Sequence, residues 1–302
     1  MNVIRNYSTD NKLSVFHHLF LASIGFAGYF LKFIQFRGFY TYSKIISHLL
    51  PSNQNMISIS LFNKRCISFD IRDYYWLRLL SSYFDYETEI KKYISNLSLK
   101  SFTFVDLGAN IGYWSLYCSQ IPSCNRILAV EPHPSIFAKL KLNLANLNLP
   151  INLLNYALSS SDKEFIRFNS PINFDNLVGS SISYDEKSSS VDSVKNLHHK
   201  EFVSEYLLPF ASENIVIKID IEGEELNFVS ELDSSLQKVF VIYEDHGKDT
   251  LHRTSELLFS NNWVVYHCTK LGLIKLDTID DVKKIKKRVD VGYNFLACRT
   301  LI

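Results

Sequence analysis

The stretch FVDLGANIGYWS (104–115) decides how the chain is read. A short apolar run carries an acid, Asp106; Gly108 and Gly112 stand four apart; a helix-like run follows. A glycine-rich turn between a strand and a helix lets backbone approach a nucleotide-like ligand. A dinucleotide site asks for G-x-G-x-x-G, whose second glycine admits a pyrophosphate. Counted from Gly108, this chain has Asn110 and Tyr113 where those glycines belong, which disfavours a dinucleotide oxidoreductase. The spacing present, D-x-G-x-N-x-G, fits a ligand without a diphosphate. Asp106 offers a carboxylate to an ammonium group. The two glycines, with Ala109 and Asn110 between them, let the chain run beside a flat, compact ligand.

Working outward, apolar strand patterns recur at 103–108, 126–132, 151–158, 214–223, 238–245, 263–268 and 295–300. Helical patterns lie between them. In PSIFAKLKLNLANL, Pro134 suits a first turn, and Ile136, Leu140, Leu144 and Leu147 share one face. Strands alternating with helices predict a parallel sheet covered on both faces. Glu131 ends the second strand, nineteen residues after Gly112. An acid there can accept both hydroxyls of a ribose. A ribose without a diphosphate, joined to an amino-acid tail, describes S-adenosylmethionine.

FVDLGANIGYWS, AVEPHP and above all IKIDIEGEE (217–225) resemble the FkbM-type methyltransferases, a branch of the class I methyltransferase fold. The resemblance extends to YETEIKKYI, with its Tyr-Glu pair before the first strand, to LLNYALSSSD and to VGSSIS (178–183). It spans roughly 56–300 and leaves the first fifty residues outside. It implies a Rossmann-like α/β sheet whose last strand is antiparallel; the sequence pattern itself gives about seven strands, helices on both faces, and an N-terminal helical and hairpin extension. It also implies S-adenosylmethionine as cofactor, held by Asp106, Gly108, Ala109, Asn110, Gly112, Glu131, Pro132 and Ala157. The implied reaction is methylation, commonly of a hydroxyl on a sugar, glycan or polyketide-like acceptor. N- or carboxyl-methylation of a small metabolite, and a non-catalytic scaffold of the same fold, are the competing readings.

Ligands of such sheets bind outside the carboxyl ends of the strands, where Asp106, Glu131, Asp220, Glu222, Glu244 and Asp245 all fall. Alternation puts Lys218, Asp220 and Glu222 on one side of their strand. Lys218 reads as a paired cation among acids. Methyl transfer to an alcohol needs a base for the hydroxyl proton or a cation that lowers its pKa. The candidate catalytic residues are His246, as base, with Asp220 and Glu222. Asp220, Glu244 and Asp245 can instead hold Mg2+, since hard carboxylate oxygens suit it; metal-free and metal-dependent sites both fit the residues.

Bulk properties narrow the partners. With 32 basic and 31 acidic residues the net charge is +1, which does not point to a nucleic acid. The five cysteines lack metal spacing and read as reduced thiols of a cytoplasmic protein. Three parts are expected: an apolar helical arm over 1–55, a β-hairpin with helices over 56–101, and the cofactor-binding domain over 102–302. Within the last, 169–200 is polar and serine-rich, a substrate lid or a disordered loop. Leu13 to Leu31 carries no Asp, Glu, Lys or Arg, and Lys32, Arg37 and Lys44 follow. A packing or homo-oligomer helix, an interfacial helix touching the membrane through 13–36, and a true span all fit that run. Cell-surface polysaccharide, assembled at the inner face of the membrane, is the expected acceptor class.

Overall fold

In a computed structural model of the chain, residues 3–51, 55–62, 65–169, 181–182, 191–221, 223–246, 249–288 and 292–299 are described. The chain opens with β1 (Tyr7–Thr9), α1 (Val15–Leu31), α2 (Phe39–Ser47), β2 (Met56–Leu61) and β3 (Arg65–Asp70). Helix α1 starts at a capping box: Ser14 Oγ accepts from the His17 N–H, and His17 Nδ1 accepts from the Ser14 N–H. Strands β2 and β3 form the expected hairpin, with β1 added antiparallel on β2. Two short helices follow, α3 (Tyr74–Leu77) and α4 (Thr88–Ser95).

The strand–helix alternation then begins as the sequence predicts. It runs β4 (Phe102–Leu107), α5 (Tyr113–Cys118), β5 (Cys124–Val130), α6 (Pro134–Leu144) and β6 (Ile151–Leu154). A side sheet interrupts it, made of β7 (Ala157–Ser159), β8 (Phe165–Asn169), β9 (Ser181–Ile182) and β10 (Val191–His198). The chain returns through α7 (His199–Phe202), β11 (Ile215–Ile219), α8 (Glu225–Ser230), β12 (Val239–His246) and α9 (Arg253–Ser260). It finishes with β13 (Val264–Thr269), β14 (Gly272–Leu276), α10 (Ile279–Ile285) and β15 (Gly292–Cys298).

Among the described residues the main sheet has eight strands in the order β14-β13-β15-β12-β11-β4-β5-β6. Strands β12, β11, β4, β5 and β6 pair parallel, and β15 is antiparallel to both of its neighbours. This is the class I Rossmann-like order. The eighth strand, β14, is a hairpin partner of β13 beyond the expected seven. The run 151–158 does not form one strand. It divides at Asn155, whose side-chain amide donates to the carbonyls of Glu131 and Pro132, and β7 leaves for the side sheet. The ends of the 169–200 segment pair as strands, while most of it, including VGS of VGSSIS, lies outside the described residues.

Every residue of β4 and β11 is buried, because helices cover both faces. On one face Val105, Leu107, Ile217 and Val241 pack with Phe228 of α8 and Leu258 of α9. On the other, Phe104, Val216 and Ile242 belong to a cluster that continues through Trp76 and Ile90 to Leu21, Ile24, Phe39 and Leu50. The arm, the hairpin and this face of the sheet therefore share one core. Each such fully buried side chain contributes about 1.5–3 kcal/mol of transfer free energy.

Gly28 shows how closely α1 sits. A Cβ there would lie 2.1 Å from Ser81 Oγ and 2.5 Å from Ser81 Cβ. Gly28→Val should lower stability by about 1–3 kcal/mol through overpacking. Urea denaturation checks this; an unchanged midpoint would mean that α1 is not docked as described.

Candidate active site

The strand order reverses between β4 and β11, and their carboxyl ends are where a cleft opens in such a sheet. The loop after β4 carries three residues with positive φ, namely Gly108 (78°), Asn110 (50°) and Gly112 (88°). The N–H groups of Gly108 and Ala109 both donate to the Val130 carbonyl, at 3.0 and 2.9 Å, tying the loop to β5. The room left by the glycines is used by the protein itself. A Cβ on Gly108 would lie 1.9 Å from the Asp220 carbonyl oxygen, and one on Gly112 would lie 2.7 Å from Leu140 Cδ1 on α6.

Glu131 stands at the tip of β5, only 5% exposed. Its Oε2 accepts from the Asn110 N–H at 3.0 Å and its Oε1 from the His133 N–H at 2.9 Å. These two bonds use two of about four acceptor positions on a carboxylate and leave one on each oxygen for a pair of hydroxyls. Burial pushes the Glu131 carboxyl up to about 7, against the two backbone N–H groups. Pro132, beside it, is partly exposed.

Asp106 faces inward. Its Oδ2 accepts from the Ser115 N–H at 3.0 Å and the Ser115 hydroxyl at 2.7 Å, so the carboxylate anchors the first turn of α5. Burial raises its pKa. Lys218 Nζ donates to Asp220 Oδ2 at 2.8 Å. Burial alone would depress this lysine, but Asp220, Glu87 and Asp106 around it hold it above its ordinary value. Ala157 sits in the side sheet, packed with Ile166 and Val194. Glu222 lies outside the described residues, as does the side chain of His246, whose backbone ends β12 opposite Gly292.

Glu87 was not singled out from the sequence as a site residue. It precedes α4 with φ 43°, and its Oε2 accepts from Trp114 Nε1 at 2.9 Å. Burial lifts its carboxyl to about 7; Lys218 opposes the rise, and Asp220 and Glu244 add to it. The available signal was the Tyr86-Glu87 pair upstream of β4. An aromatic wall stands beside it: Trp76 stacks on Tyr113 at 5.6 Å, Tyr86 meets Tyr113 edge-on at 5.1 Å, and Trp76 Nε1 donates to Asn110 Oδ1 at 3.2 Å. Glu87, Asp106 and Asp220 surround the ammonium of Lys218, and among the described residues these carboxylates outnumber it. That excess of negative charge fits a cationic ligand.

The expected Mg2+ site of Asp220, Glu244 and Asp245 is not supported. Adjacent residues of β12 point to opposite faces. Asp245 is 4% exposed, accepts from the Ser255 hydroxyl at 2.9 Å, and forms a buried ion pair with Lys286 after α10. Among the described residues no group of three His, Cys, Asp or Glu side chains could hold a metal.

Residues 106–262 match the methyltransferase FkbM domain, and the chain belongs to that family. It is similar to the hexuronic acid methyltransferase AglP of Haloferax volcanii, with 29% identity over 160 residues, 51% of this chain. The chain spans about 62% of the length of that curated relative. Among solved structures it is similar to the precorrin-6y C5,15-methyltransferase of Geobacter metallireducens (TM-score 0.40, 13% identity, 70% of this chain and 86% of that one). It is also similar to P. horikoshii TYW2 with MeSAdo (TM-score 0.44, 9% identity, 83% and 74%) and to M. capricolum TrmK with S-adenosyl-homocysteine (TM-score 0.37, 14% identity, 69% and 66%).

Asp245→Ala should strand Lys286 as an uncompensated buried charge and cost about 3–5 kcal/mol of stability. Adding Lys286→Met should recover most of that loss. If Asp245→Ala leaves the unfolding midpoint unchanged, the ion pair is not structural and the metal reading returns.

Proposed function

We propose that this protein is an S-adenosylmethionine-dependent methyltransferase that methylates a hydroxyl of a sugar or glycan. The observation that carries the reading is Glu131, held at the strand tip by two backbone N–H groups with one acceptor position left on each oxygen. Family membership, the likeness to the hexuronic acid methyltransferase AglP and the carboxylate excess around Lys218 support it.

In this reading Glu131 accepts the two ribose hydroxyls, and the backbone of Gly108 to Asn110 runs beside the nucleoside. The carboxylates of Glu87 and Asp220 attract the amino-acid tail and the sulfonium centre. When bound, S-adenosylmethionine supplies an electrophilic methyl group on a sulfonium that leaves as a neutral thioether. The acceptor hydroxyl gives up its proton to a base at the strand tips. The candidate bases are His246, whose backbone ends β12, and Glu87, whose carboxyl is lifted to about 7. The aromatic wall of Trp76, Tyr86 and Tyr113 excludes water on one side.

The charge balance makes binding pH-dependent. At pH 6 Glu131 and Glu87, each lifted to about 7, are mostly protonated. Hydroxyl donors on Glu131 and a cation beside Glu87 each favour the ionised form, so binding there must expel protons, and affinity rises with pH through 7 and levels off above it. Calorimetry should show binding weaker at pH 6 than at pH 8 by about tenfold for each carboxyl that must ionise. A flat profile would contradict this placement of the ribose and the cation.

The reaction itself is tested by transfer of labelled methyl from S-adenosylmethionine to a uronic-acid-containing oligosaccharide. The proposal expects an ether, stable to mild alkali. A base-labile product would be a carboxyl ester and would replace the hydroxyl reading.

A further inference from the structure

Helix α1 has two faces, and only one is used by the fold. Leu21, Ile24, Gly25 and Gly28 are buried against the rest of the chain, with Gly25 close to Ile4 and Gly28 close to Ser81. The opposite face is apolar and open to solvent. Val15, Phe16, Leu19, Phe26 and Phe30, with Phe33 in the turn that follows, are 55–74% exposed. Their separations of three, four and seven residues place them on one stripe. Ile45 and Leu49, from α2 and the turn after it, are a further 59% and 49% exposed. Large apolar side chains gathered in this way mark a surface that something covers.

The flanking charge indicates what. From Asn11 to Phe69 the sequence contains no Asp or Glu, while Lys12, Lys32, Arg37 and Lys44 belong to the arm. Lys32 lies over the rings of Tyr29 and Tyr83, at 4.2 and 4.1 Å. Tyrosines and cations at the edge of an apolar stripe match the region where a lipid headgroup layer meets the acyl chains. A second copy of this chain is a poorer occupant. A twofold contact presents the same patch from both sides and would face these cations with themselves. A transmembrane path is poorer too. The segment Val15–Ile34 is long enough to cross a bilayer. Crossing would, however, pull Leu21 and Ile24 out of the shared core.

We propose that α1 lies flat on an anionic lipid bilayer, its inner face docked in the protein core and its Phe16–Phe33 stripe inserted among the lipids with the arm's cations on the headgroups. This goes beyond the catalytic reading and does not depend on it. The stripe gives the apolar contact and the cations give the preference for negative charge, as for other interfacial helices.

The test is sedimentation of the full chain with vesicles of phosphatidylcholine alone and with added phosphatidylglycerol. The expected result is binding to the anionic vesicles that weakens as salt rises. Replacing Phe26, Phe30 and Phe33 together by Ser should reduce the bound fraction at least about tenfold. Because these side chains point outward, circular dichroism and the unfolding temperature should not change. Lys12→Gln, Arg37→Gln and Lys44→Gln in combination should reduce binding to anionic vesicles only. Absence of binding would overturn the proposal, and a dimer that the Phe→Ser variant dissociates would then name the second copy as occupant. Equal, salt-insensitive binding to both vesicle types would overturn the assignment to anionic lipid.

Discussion

The carbonyl oxygen of Asp220 occupies the place where a side chain at position 108 would begin. This close approach keeps β4 and β11 together past their last paired residues, with the Asp220 N–H donating to the Leu107 carbonyl at 2.9 Å. Strands β5 and β12 flank the pair, so the loops after β4 and β11 meet at the switch in strand order. Gly108 follows from it. A lysine 5% exposed in a central strand is tolerable because carboxylates from β4, the residue after β11 and the segment before α4 converge on it. One backbone contact thus sets where the negative charge of the cleft is gathered.

Local pattern carried much of the fold. Strand–helix alternation, the near-continuous apolar runs of β4 and β11, and Pro134 opening α6 are short-range signals, and the structure follows them. The reversed last strand came from family likeness, since no periodicity distinguishes an antiparallel strand within a sheet. What local pattern could not carry were pairings between distant parts of the chain. Asp245 looked like one of three tip carboxylates because its partner Lys286 is 41 residues away. Asp106 was read as facing a ligand, whereas its carboxylate bonds Ser115 at the start of α5. Glu87 belongs to no strand, and only the folded chain brings it into the charge cluster around Lys218. The turn at Asn155 shows the same limit, for the apolar run 151–158 gives no hint that its two halves enter different sheets.

The arm illustrates how one helix can satisfy two demands. From sequence, packing and membrane contact are alternatives, because the run Leu13–Leu31 carries no Asp, Glu, Lys or Arg. In the structure the buried residues and the exposed apolar residues of α1 fall on opposite faces. The glycines at 25 and 28 bring one face into contact with the rest of the chain, and the phenylalanines at 16, 26 and 30 on the other face are exposed. Such a helix cannot be removed to ask about its surface function without also removing Leu21 and Ile24 from the core.

The central claim is that Glu131 holds the ribose of a cationic, diphosphate-free nucleoside. Isothermal titration calorimetry of the native chain and of Glu131→Ala, with S-adenosylmethionine and with NAD, addresses it most directly. The account predicts binding of S-adenosylmethionine but not NAD to the native chain, and a loss of about 1.5–3 kcal/mol in the variant. Equal affinity of both proteins for S-adenosylmethionine, or binding of NAD by the native chain, would contradict it.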